Sequence, residues 1–444
     1  MKVLQLLIIA MVFLGVALGV LIASLRGQIG PEDAQFPGMI GETVVTAANS
    51  RRRAPEQLRG LVWNVHYGHG GELDHFAKHS PVEVDGTLEA IAELIKTADV
   101  DFVMLQEVDR QADRSHGHDQ LRILAERAGF PYFAFVTTWN ARYIPFPFGE
   151  PDRWLGRVHS GQGVLSRFPI TSNRRVLLPQ PKENPFWYNW FYLNRAVQVV
   201  ELAVPDEEPV QLFNIHLEAF SNANRMRQAT ILKDLVWTEA RQDDRILVAG
   251  DFNSTAPEAP QKKAFVDEPE TDFSNDTTIQ TLRSGMPTID LLKRFKVPER
   301  IFTFPATAPN RQLDHLFAGR AWSRSFGWVQ RPEKGILSDH LPLRIVLTGK
   351  PSQHAGSRKK IKAKRRSKVT APPAPKPASA RIKANSDPNT LPIFKGDTGT
   401  EGLGVEIRNS ELLDRPTPVQ GKPPKPPKQL NPKGWLNDAG PVIK

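Results

Sequence analysis

The chain has no cysteine among its 444 residues, which excludes disulfide bonds and leaves the redox compartment open. An excess of basic charge is also absent from residues 1–349. The formal net charge of the whole chain is +10, but residues 350–444 alone hold 20 Lys and Arg against 7 Asp and Glu. The basic character therefore belongs to the C-terminal part, and the rest of the chain is slightly acidic.

Residues 349–444 have few aromatic and branched apolar side chains and contain 15 of the 38 prolines. Such a composition cannot bury a core, which predicts a disordered, basic, Pro-rich tail. The cluster at residues 358–368 is expected to attract polyanions, either phosphate backbones or an anionic leaflet. It contains no aromatic side chain that would stack on bases. A solubilising tail without a specific partner is the alternative.

Charged residues are absent from residues 3–24. About 20 apolar residues suffice to cross a bilayer core, so residues 1–26 predict a membrane anchor and a single-pass protein. A cleaved signal peptide is the alternative, although the run exceeds the roughly 7 to 15 residues of a signal core. The charges of Lys2 and Arg26 are too few to decide on which side of the membrane the remaining chain lies.

Residues 27–58 are polar and interrupted by Gly and Pro, which predicts a linker. From residue 59 to 348, short apolar runs of strand length recur, and residues 87–97 and 222–240 place apolar side chains at helical spacing. Strands and helices do not alternate as in a doubly wound parallel fold. The pattern predicts one α+β domain over 59–348, with two packed, mainly antiparallel sheets flanked by helices.

Polar motifs recur in this domain, most of them at or just past the end of an apolar run, where a sheet presents its polar residues along one rim. The motifs are VWNVH (62–66), LQEVD (105–109), NIHLE (214–218), GDFNS (250–254), LDH (313–315) and SDH (338–340). Taken alone, each residue has a structural interpretation, such as a cap, a turn residue or a core histidine. Together they suggest a hydrolytic metal site.

The residue types suit the hydrolysis of a phosphate ester. The anionic oxygens of the ester repel a nucleophile, so hydrolysis needs a divalent cation and a group that activates water. Mg²⁺ prefers oxygen ligands and keeps several waters, so one or two carboxylates and an orienting amide suffice. Glu107 supplies a carboxylate, and Asn64 either orients it or contributes its own oxygen.

Further residues are of types that can activate the attacking water and bind the phosphoryl oxygens. Asp251 and Asn253 are two residues apart, so in an extended backbone their side chains point to the same side. This spacing predicts a group that aligns or deprotonates water and an amide that donates to phosphoryl oxygens. Asp314 and His340 can form a carboxylate–imidazole pair. His216 would donate to the non-bridging oxygens.

The motifs, in this order and spacing, resemble the endonuclease/exonuclease/phosphatase superfamily over roughly residues 59–348, together with GQGVLSRFPI (161–170) and FTFPATAPNRQLDHLF (302–317). Its members include deoxyribonuclease-I-like nucleases, apurinic endonucleases, inositol polyphosphate phosphatases and neutral sphingomyelinases. The resemblance implies a four-layer α/β/β/α sandwich with a metal at one rim of the sheets. It also implies that Asn64 and Glu107 hold Mg²⁺ or Mn²⁺, with Asp339 as a further acid on the metal side.

The same resemblance implies catalytic roles. Asp251 and Asn253 would handle the nucleophile, Asp314 would pair with His340, and His216 would bind phosphate. Some nucleases of this superfamily place a carboxylate beside the first histidine. Residues 159–167 contain no carboxylate, so the partner of His216 stays open.

Two aromatic segments, residues 139–154 and 186–192, would stack nucleobases or contact a membrane interface, or else pack against the domain. Three arginines close to these segments in sequence are candidate contacts for phosphate, or else ordinary surface charges: Arg153, Arg157 and Arg195.

These observations predict a membrane-anchored, Mg²⁺-dependent phosphoesterase that hydrolyses a phosphodiester, most like an endonuclease or exonuclease. A lipid-directed phosphoesterase of the sphingomyelinase or phosphoinositide phosphatase type is the alternative, so the substrate is nucleic acid or phospholipid. A non-catalytic binding protein that uses its basic tail is the third interpretation. The intact set of polar positions weighs against it.

Overall fold

The computed structural model describes residues 2–25, 38–39 and 57–349, apart from residues 148, 206, 240–244 and 334. In the first helix, the described side chains are those of residues 5, 9, 11–20, 24 and 25. The helices are α1 (Lys2–Leu25), α2 (Pro81–Thr97), α3 (Gln120–Ala128), α4 (Phe186–Asn189), α5 (Asn222–Glu239) and α6 (Thr278–Gly285). The strands are β1 (Gly38–Met39), β2 (Leu58–Asn64), β3 (Phe102–Asp109), β4 (Tyr132–Ile144), β5 (Gly156–Ser166), β6 (Ile170–Leu178), β7 (Arg195–Leu202), β8 (Val210–His216), β9 (Arg245–Asp251), β10 (Thr288–Asp290), β11 (Asp314–Gly319), β12 (Trp322–Val329) and β13 (Leu343–Gly349).

Local sequence explains where the helices begin and end. Ser80 and Glu83 form a capping box at the start of α2, and Pro81 occupies its first turn. Helix α3 begins after Asp119, whose side chain accepts the Arg122 N–H, and ends at Gly129 in the left-handed conformation. The helices predicted at residues 87–97 and 222–240 are confirmed as α2 and α5.

The strands form two mixed sheets. The order in the first sheet is β1-β4-β5-β3-β2-β13-β12, and the order in the second is β10-β11-β9-β8-β7-β6. The pairs β2/β3 and β8/β9 are parallel, and the other neighbours are antiparallel. This topology agrees with the predicted pair of mainly antiparallel sheets.

Three apolar clusters hold the layers together. Val62 and Met104 of the first sheet meet Leu212 and Leu247 of the second in the space between the sheets. Helices α2 and α3 pack on the other face of the first sheet, and α5 and α6 pack on the second. Because helices cover the outer faces, strands such as β9 are buried along their whole length. The predicted α+β sandwich of two packed sheets with helices is confirmed.

One prediction requires correction. A helix that crosses a bilayer core needs about 20 apolar residues, and no helix formed by the described residues is both long enough and apolar enough to do so. This finding contradicts the single-pass membrane localisation predicted from residues 3–24.

The predicted tail and its basic cluster lie outside the described residues, as does most of the linker. The boundaries at residues 26, 58 and 348 stay predictions.

Candidate active site

One rim of the sandwich collects strand ends from both sheets. Strand β2 ends at Asn64, β8 at His216 and β9 at Asp251, and Glu107 lies near the end of β3. The antiparallel partner of Asp251 is Asp314, the first residue of β11. Since the parallel pairs β2/β3 and β8/β9 each deliver their carboxyl ends to one edge, the polar residues there converge.

Asn64 lies between two carboxylates. Its Nδ2 donates to Glu107 Oε1 at 3.0 Å and to Asp251 Oδ2 at 3.1 Å. Its Oδ1 accepts the backbone N–H of His66 at 3.1 Å. Of the two roles predicted for Asn64, this geometry matches the one in which the amide orients a carboxylate.

Glu107 enters the rim because β3 is irregular there. The register between β3 and β5 shifts between Leu105 and Val108. Glu107 has a φ of 54°, in the left-handed region that side chains other than glycine adopt rarely. A bulge of this kind re-aims a side chain and often lies beside an active site. Burial opposes ionisation, yet the imidazoles of His216 and His66 hold the pKa of Glu107 below its usual range.

Asp251 lies at the centre of the group. Its Oδ1 accepts the backbone N–H of Asn253 at 2.8 Å. Its Oδ2 lies 3.5 Å from His216 Nε2 and 3.7 Å from His340 Nε2. Burial raises the pKa of Asp251 to about 7 although His340 lowers it, and Asp314 contributes to the rise. A carboxylate with a pKa near neutrality suits proton transfer from water.

Asn253 differs from the prediction. Strand β9 ends at Asp251, and Asn253 has a φ of 48°, so the backbone between them is not extended. The Asn253 side-chain amide donates to the carbonyl of Leu217 at 3.0 Å. The contact with Asp251 is therefore made by the backbone N–H of Asn253.

Asp314 and His340 are paired, as the sequence predicted. His340 Nδ1 lies 2.8 Å from Asp314 Oδ2, and the His340 carbonyl accepts Trp63 Nε1–H at 2.8 Å. The ring also packs against Phe304, with the ring centroids 4.8 Å apart. Burial lowers the pKa of His340, but Asp314 and Asp251 outweigh it and raise that pKa well above its usual value. The imidazole is therefore cationic at neutral pH.

Asp339 lies beside a histidine that the sequence analysis missed. Its Oδ1 accepts the Ser338 hydroxyl at 3.2 Å and lies 3.8 Å from His66 Nδ1. Burial raises the pKa of Asp339 to about 6 against the effect of His340, and Glu107 adds to the rise. Burial lowers the pKa of His66 to about 4. The available signal for His66 was its position two residues after Asn64.

The partner of His216 is an arginine. Arg195, at the start of β7, places Nη1 2.5 Å from His216 Nε2. Burial first, and then the Arg195 charge, lowers the pKa of His216 well below its usual value. The neutral ring accepts from Arg195 through Nε2, which places the ring proton on Nδ1. His216 Nε2 also lies 3.7 Å from Glu107 Oε1.

Glu218 holds the second aromatic segment through a hydrogen bond from Tyr192. Its buried Oε1 accepts the Tyr192 hydroxyl at 2.6 Å. Trp139 Nε1–H donates to the carbonyl of Phe191 at 2.9 Å and so joins the two aromatic segments. Trp187 stays 46% exposed beside this packed part. The segments thus contain both packed and exposed rings.

The donor set fits a divalent cation. One ligand atom each of Asp251, Asp314 and His340 lies within 4.8 Å of the others, and all three residues are buried. Among the described residues, Asp314 Oδ1 is buried without a hydrogen-bond partner. Carboxylates this close together repel each other, so ionising both costs free energy. A bound cation would offset this repulsion. Because the protonated His340 ring offers no lone pair, the donors here are carboxylate oxygens, which suit a hard ion such as Mg²⁺. Glu107 and Asp339 supply two further carboxylates, which lie close enough that Glu107 adds to the rise that burial causes in the pKa of Asp339.

Comparisons with known proteins agree with this geometry. A family model described as the endonuclease/exonuclease/phosphatase family matches residues 61–340. A curated relative from Schizosaccharomyces pombe (strain 972 / ATCC 24843), an inositol phosphosphingolipids phospholipase C, is 24% identical over 174 residues, which are 37% of this chain and 36% of that protein. The chain therefore matches about a third of the length of that relative.

Solved structures resemble the chain as well. The endonuclease/exonuclease/phosphatase from Beutenbergia cavernae DSM 12333 has a TM-score of 0.50 and 24% identity, over 67% of this chain and 72% of that chain. An endonuclease/exonuclease/phosphatase family protein from Bacteroides thetaiotaomicron has a TM-score of 0.45 and 14% identity, over 67% of this chain and 100% of that chain. The first of these likenesses shows a shared fold.

Proposed function

Because this chain belongs to the endonuclease/exonuclease/phosphatase family, we propose that it hydrolyses a phosphodiester with the help of a divalent cation. The observation that carries the proposal is the contact chain from Glu107 through Asn64 and Asp251 to His340 and Asp314. These residues come from both sheets and are far apart in sequence. A purely structural role would not require so many ionisable groups in one buried rim.

The cation would be Mg²⁺ or Mn²⁺, held by Glu107 and Asp339, with Asn64 orienting the first carboxylate. When bound, it neutralises the anionic oxygens of the ester and the charge that develops as water attacks. Asp251, Asp314 and His340 form a second group. Asn64 joins this group to Glu107, because its Nδ2 donates to both Glu107 and Asp251.

The proposed roles of the other residues follow from their protonation. Asp251 aligns the attacking water and accepts its proton at Oδ2, while the Asn253 backbone N–H holds Oδ1 in place. Asp314 fixes the His340 ring, whose cationic Nε2–H donates to a phosphoryl oxygen. The Arg195 guanidinium favours the negative charge of the phosphate, and His216 holds this guanidinium in place through Nε2.

A polynucleotide is the first candidate substrate, because Trp187 of the second aromatic segment is 46% exposed and offers a ring for stacking. The headgroup diester of a phospholipid is the second. It is favoured by the match to the fission-yeast phospholipase C, which covers about a third of that protein. Both are phosphodiesters, so one site serves either substrate.

The test is hydrolysis by the purified full-length chain, with Mg²⁺, with Mn²⁺ and with excess chelator. The substrates are single- and double-stranded DNA, RNA, sphingomyelin, phosphoinositides and a bis(nitrophenyl) phosphate. We expect cleavage of at least one diester that chelator abolishes. Cleavage of lipids alone would replace the first candidate by the second, and no hydrolysis of any ester with either metal would refute the proposal.

Asp251→Asn should reduce turnover by about 10²- to 10⁴-fold, because the amide cannot accept the proton of the water. The variant keeps the shape of the side chain, so the unfolding transition should stay close to that of the wild type. Asp272→Asn is the matched control, since Asp272 is exposed and lies outside the site. Turnover of Asp251→Asn near the wild-type rate would remove Asp251 from the proposed mechanism.

A further inference from the structure

A network of buried side-chain amides joins the two sheets below the rim. Gln106 of β3, Gln162 of β5, Gln198 of β7 and Asn214 of β8 are at most 1% exposed. Placing amides in the space between two sheets is unfavourable unless each finds hydrogen-bond partners.

Asn214 makes contacts that cross from the second sheet to strands β3 and β5 of the first. Its Nδ2 lies 3.0 Å from the carbonyl oxygen of Leu105 and 3.2 Å from that of Gly163. Its Oδ1 accepts Gln106 Nε2–H at 2.6 Å. Leu105 and Gly163 are register partners, and the shift in the β3/β5 register follows directly after them. Asn214 therefore binds both strands at the point where their ladder is interrupted.

The interruption is the bulge that carries Glu107. Glu107 follows Leu105 by two residues and has the left-handed φ of 54°. Such a conformation persists only where surrounding contacts enforce it. On the same strand as Asn214, two residues further on, His216 Nε2 lies 3.7 Å from Glu107 Oε1. One strand of the second sheet thus fixes the bulge and supplies a neighbour of its carboxylate.

We propose that Asn214 is a positioning residue, which holds the β3 bulge in the opposite sheet and thereby sets Glu107 for the divalent cation. This inference rests on the proposed function, because that function assigns Glu107 to the cation. Asn214 itself touches neither the cation nor the substrate. Its effect passes through the carbonyl of Leu105 and the side chain of Gln106.

Gln198 provides a matched control. Its Oε1 lies 3.0 Å from Asn214 Nδ2, and its Nε2 donates to the carbonyl of Ala134 at 3.1 Å and to Asn173 Oδ1 at 3.0 Å. Gln198 thus belongs to the same buried network without a hydrogen bond to β3. Replacing either residue by leucine removes buried amide bonds, but only Asn214→Leu releases the bulge.

The experiment measures Mn²⁺ binding by calorimetry on the full-length wild type, Asn214→Leu, Gln198→Leu, Glu107→Gln and the double variant Asn214→Leu/Glu107→Gln. Loss of a residue that orients a metal ligand weakens binding by about 10- to 100-fold, which is the expected effect of Asn214→Leu. Gln198→Leu should stay within about threefold of the wild type. The double variant should bind Mn²⁺ no more weakly than Glu107→Gln, since the two changes remove the same contribution, that of the Glu107 carboxylate.

A second readout does not depend on a cation. Hydrogen exchange of the peptide spanning residues 105–109 should be faster in Asn214→Leu than in Gln198→Leu. The two variants are compared at temperatures equally far below the unfolding midpoint of each. Equal exchange in the two variants, or Mn²⁺ affinity unchanged in Asn214→Leu, would overturn the inference. If exchange changes as expected while the wild type binds no Mn²⁺, the proposed function fails and the placement of the bulge by Asn214 stands.

If Asn214→Leu does not fold, Gln106→Leu is used in its place. The Gln106 change removes only the hydrogen bond to Asn214 Oδ1. We expect a smaller weakening of Mn²⁺ binding in the same direction. Wild-type affinity and wild-type exchange in Gln106→Leu would contradict the inference.

Discussion

A neutral imidazole and a cationic imidazole both lie near Asp251 Oδ2. Burial and the Arg195 charge keep His216 neutral, whereas Asp314 and Asp251 keep His340 protonated against the effect of burial. Two residues of one type thus have different chemistry because their neighbours differ. The neutral ring accepts a hydrogen bond, and the cationic ring has a proton to donate.

Asp314→Asn tests this difference at a single residue. The change keeps the side-chain volume but removes the charge nearest to His340 Nδ1, so the pKa of His340 should fall from its raised value. We expect turnover to drop by about 10²- to 10⁴-fold at neutral pH. NMR titration of the His340 ring and the rate on a small diester measure the two effects. A reduced rate with an unchanged pKa of His340 would contradict the explanation through charge.

Single elements deliver the side chains through local irregularities of the strands. The bulge in β3 turns Glu107 into the rim, and β9 contains Gly250 with a φ of 145° one residue before Asp251. A Cβ at Gly250 would lie 2.0 Å from the carbonyl oxygen of Ile215 in the neighbouring strand β8. The glycine of the GDFN motif therefore permits close contact between the two strands that carry His216 and Asp251.

Gly250→Ala should lower the free energy of unfolding by more than about 2 kcal/mol, because both the backbone conformation and the contact with Ile215 become unfavourable. Gly117→Ala is the control, since Gly117 has a φ of 73° but nothing within 4 Å of an added Cβ. It should lose only about 1 kcal/mol, from the conformation alone. Urea unfolding measures both, and equal losses would show that the contact with Ile215 is unimportant.

At the scale of the whole molecule, the sandwich buries histidines whose pKa lies below its usual value. His69 is 3% exposed, and its Nε2–H donates to the carbonyl of Arg114 at 3.0 Å. Burial lowers its pKa to about 3. The unfolded chain protonates this residue near its ordinary pKa of about 6.5. Below that pH the unfolded state therefore binds a proton that the folded state does not.

The contribution of His69 to stability should consequently fall as the pH decreases below about 6.5. By linkage, His69 alone should remove about 1.4 kcal/mol of the unfolding free energy between pH 7.5 and 5.5. Urea unfolding of the wild type and of His69→Gln at these two pH values measures the contribution, which the variant should lack. His116→Gln, at an exposed position, is the control for the replacement of a histidine by glutamine. An identical pH dependence in His69→Gln would contradict the prediction.

Sequence alone determined the residue types of the rim and their order, because each motif is local and most of them follow a strand whose apolar composition can be recognised in the sequence. It also predicted the Asp314–His340 pair and the two packed sheets. The N-terminal segment shows the limit of such reasoning, since the single-pass localisation inferred from residues 3–24 is contradicted. The catalytic and metal-binding roles stay proposals.

Only the tertiary structure decided which atoms face each other. Arg195 became the partner of His216 because β7 and β8 are neighbouring strands, and Asn253 turned its amide to Leu217 because β9 ends at Asp251. The bulge under Glu107 depends on Asn214, which is 107 residues away in sequence and lies in the other sheet. Contacts of this kind follow from strand register and sheet packing, so no local pattern of residues specifies them.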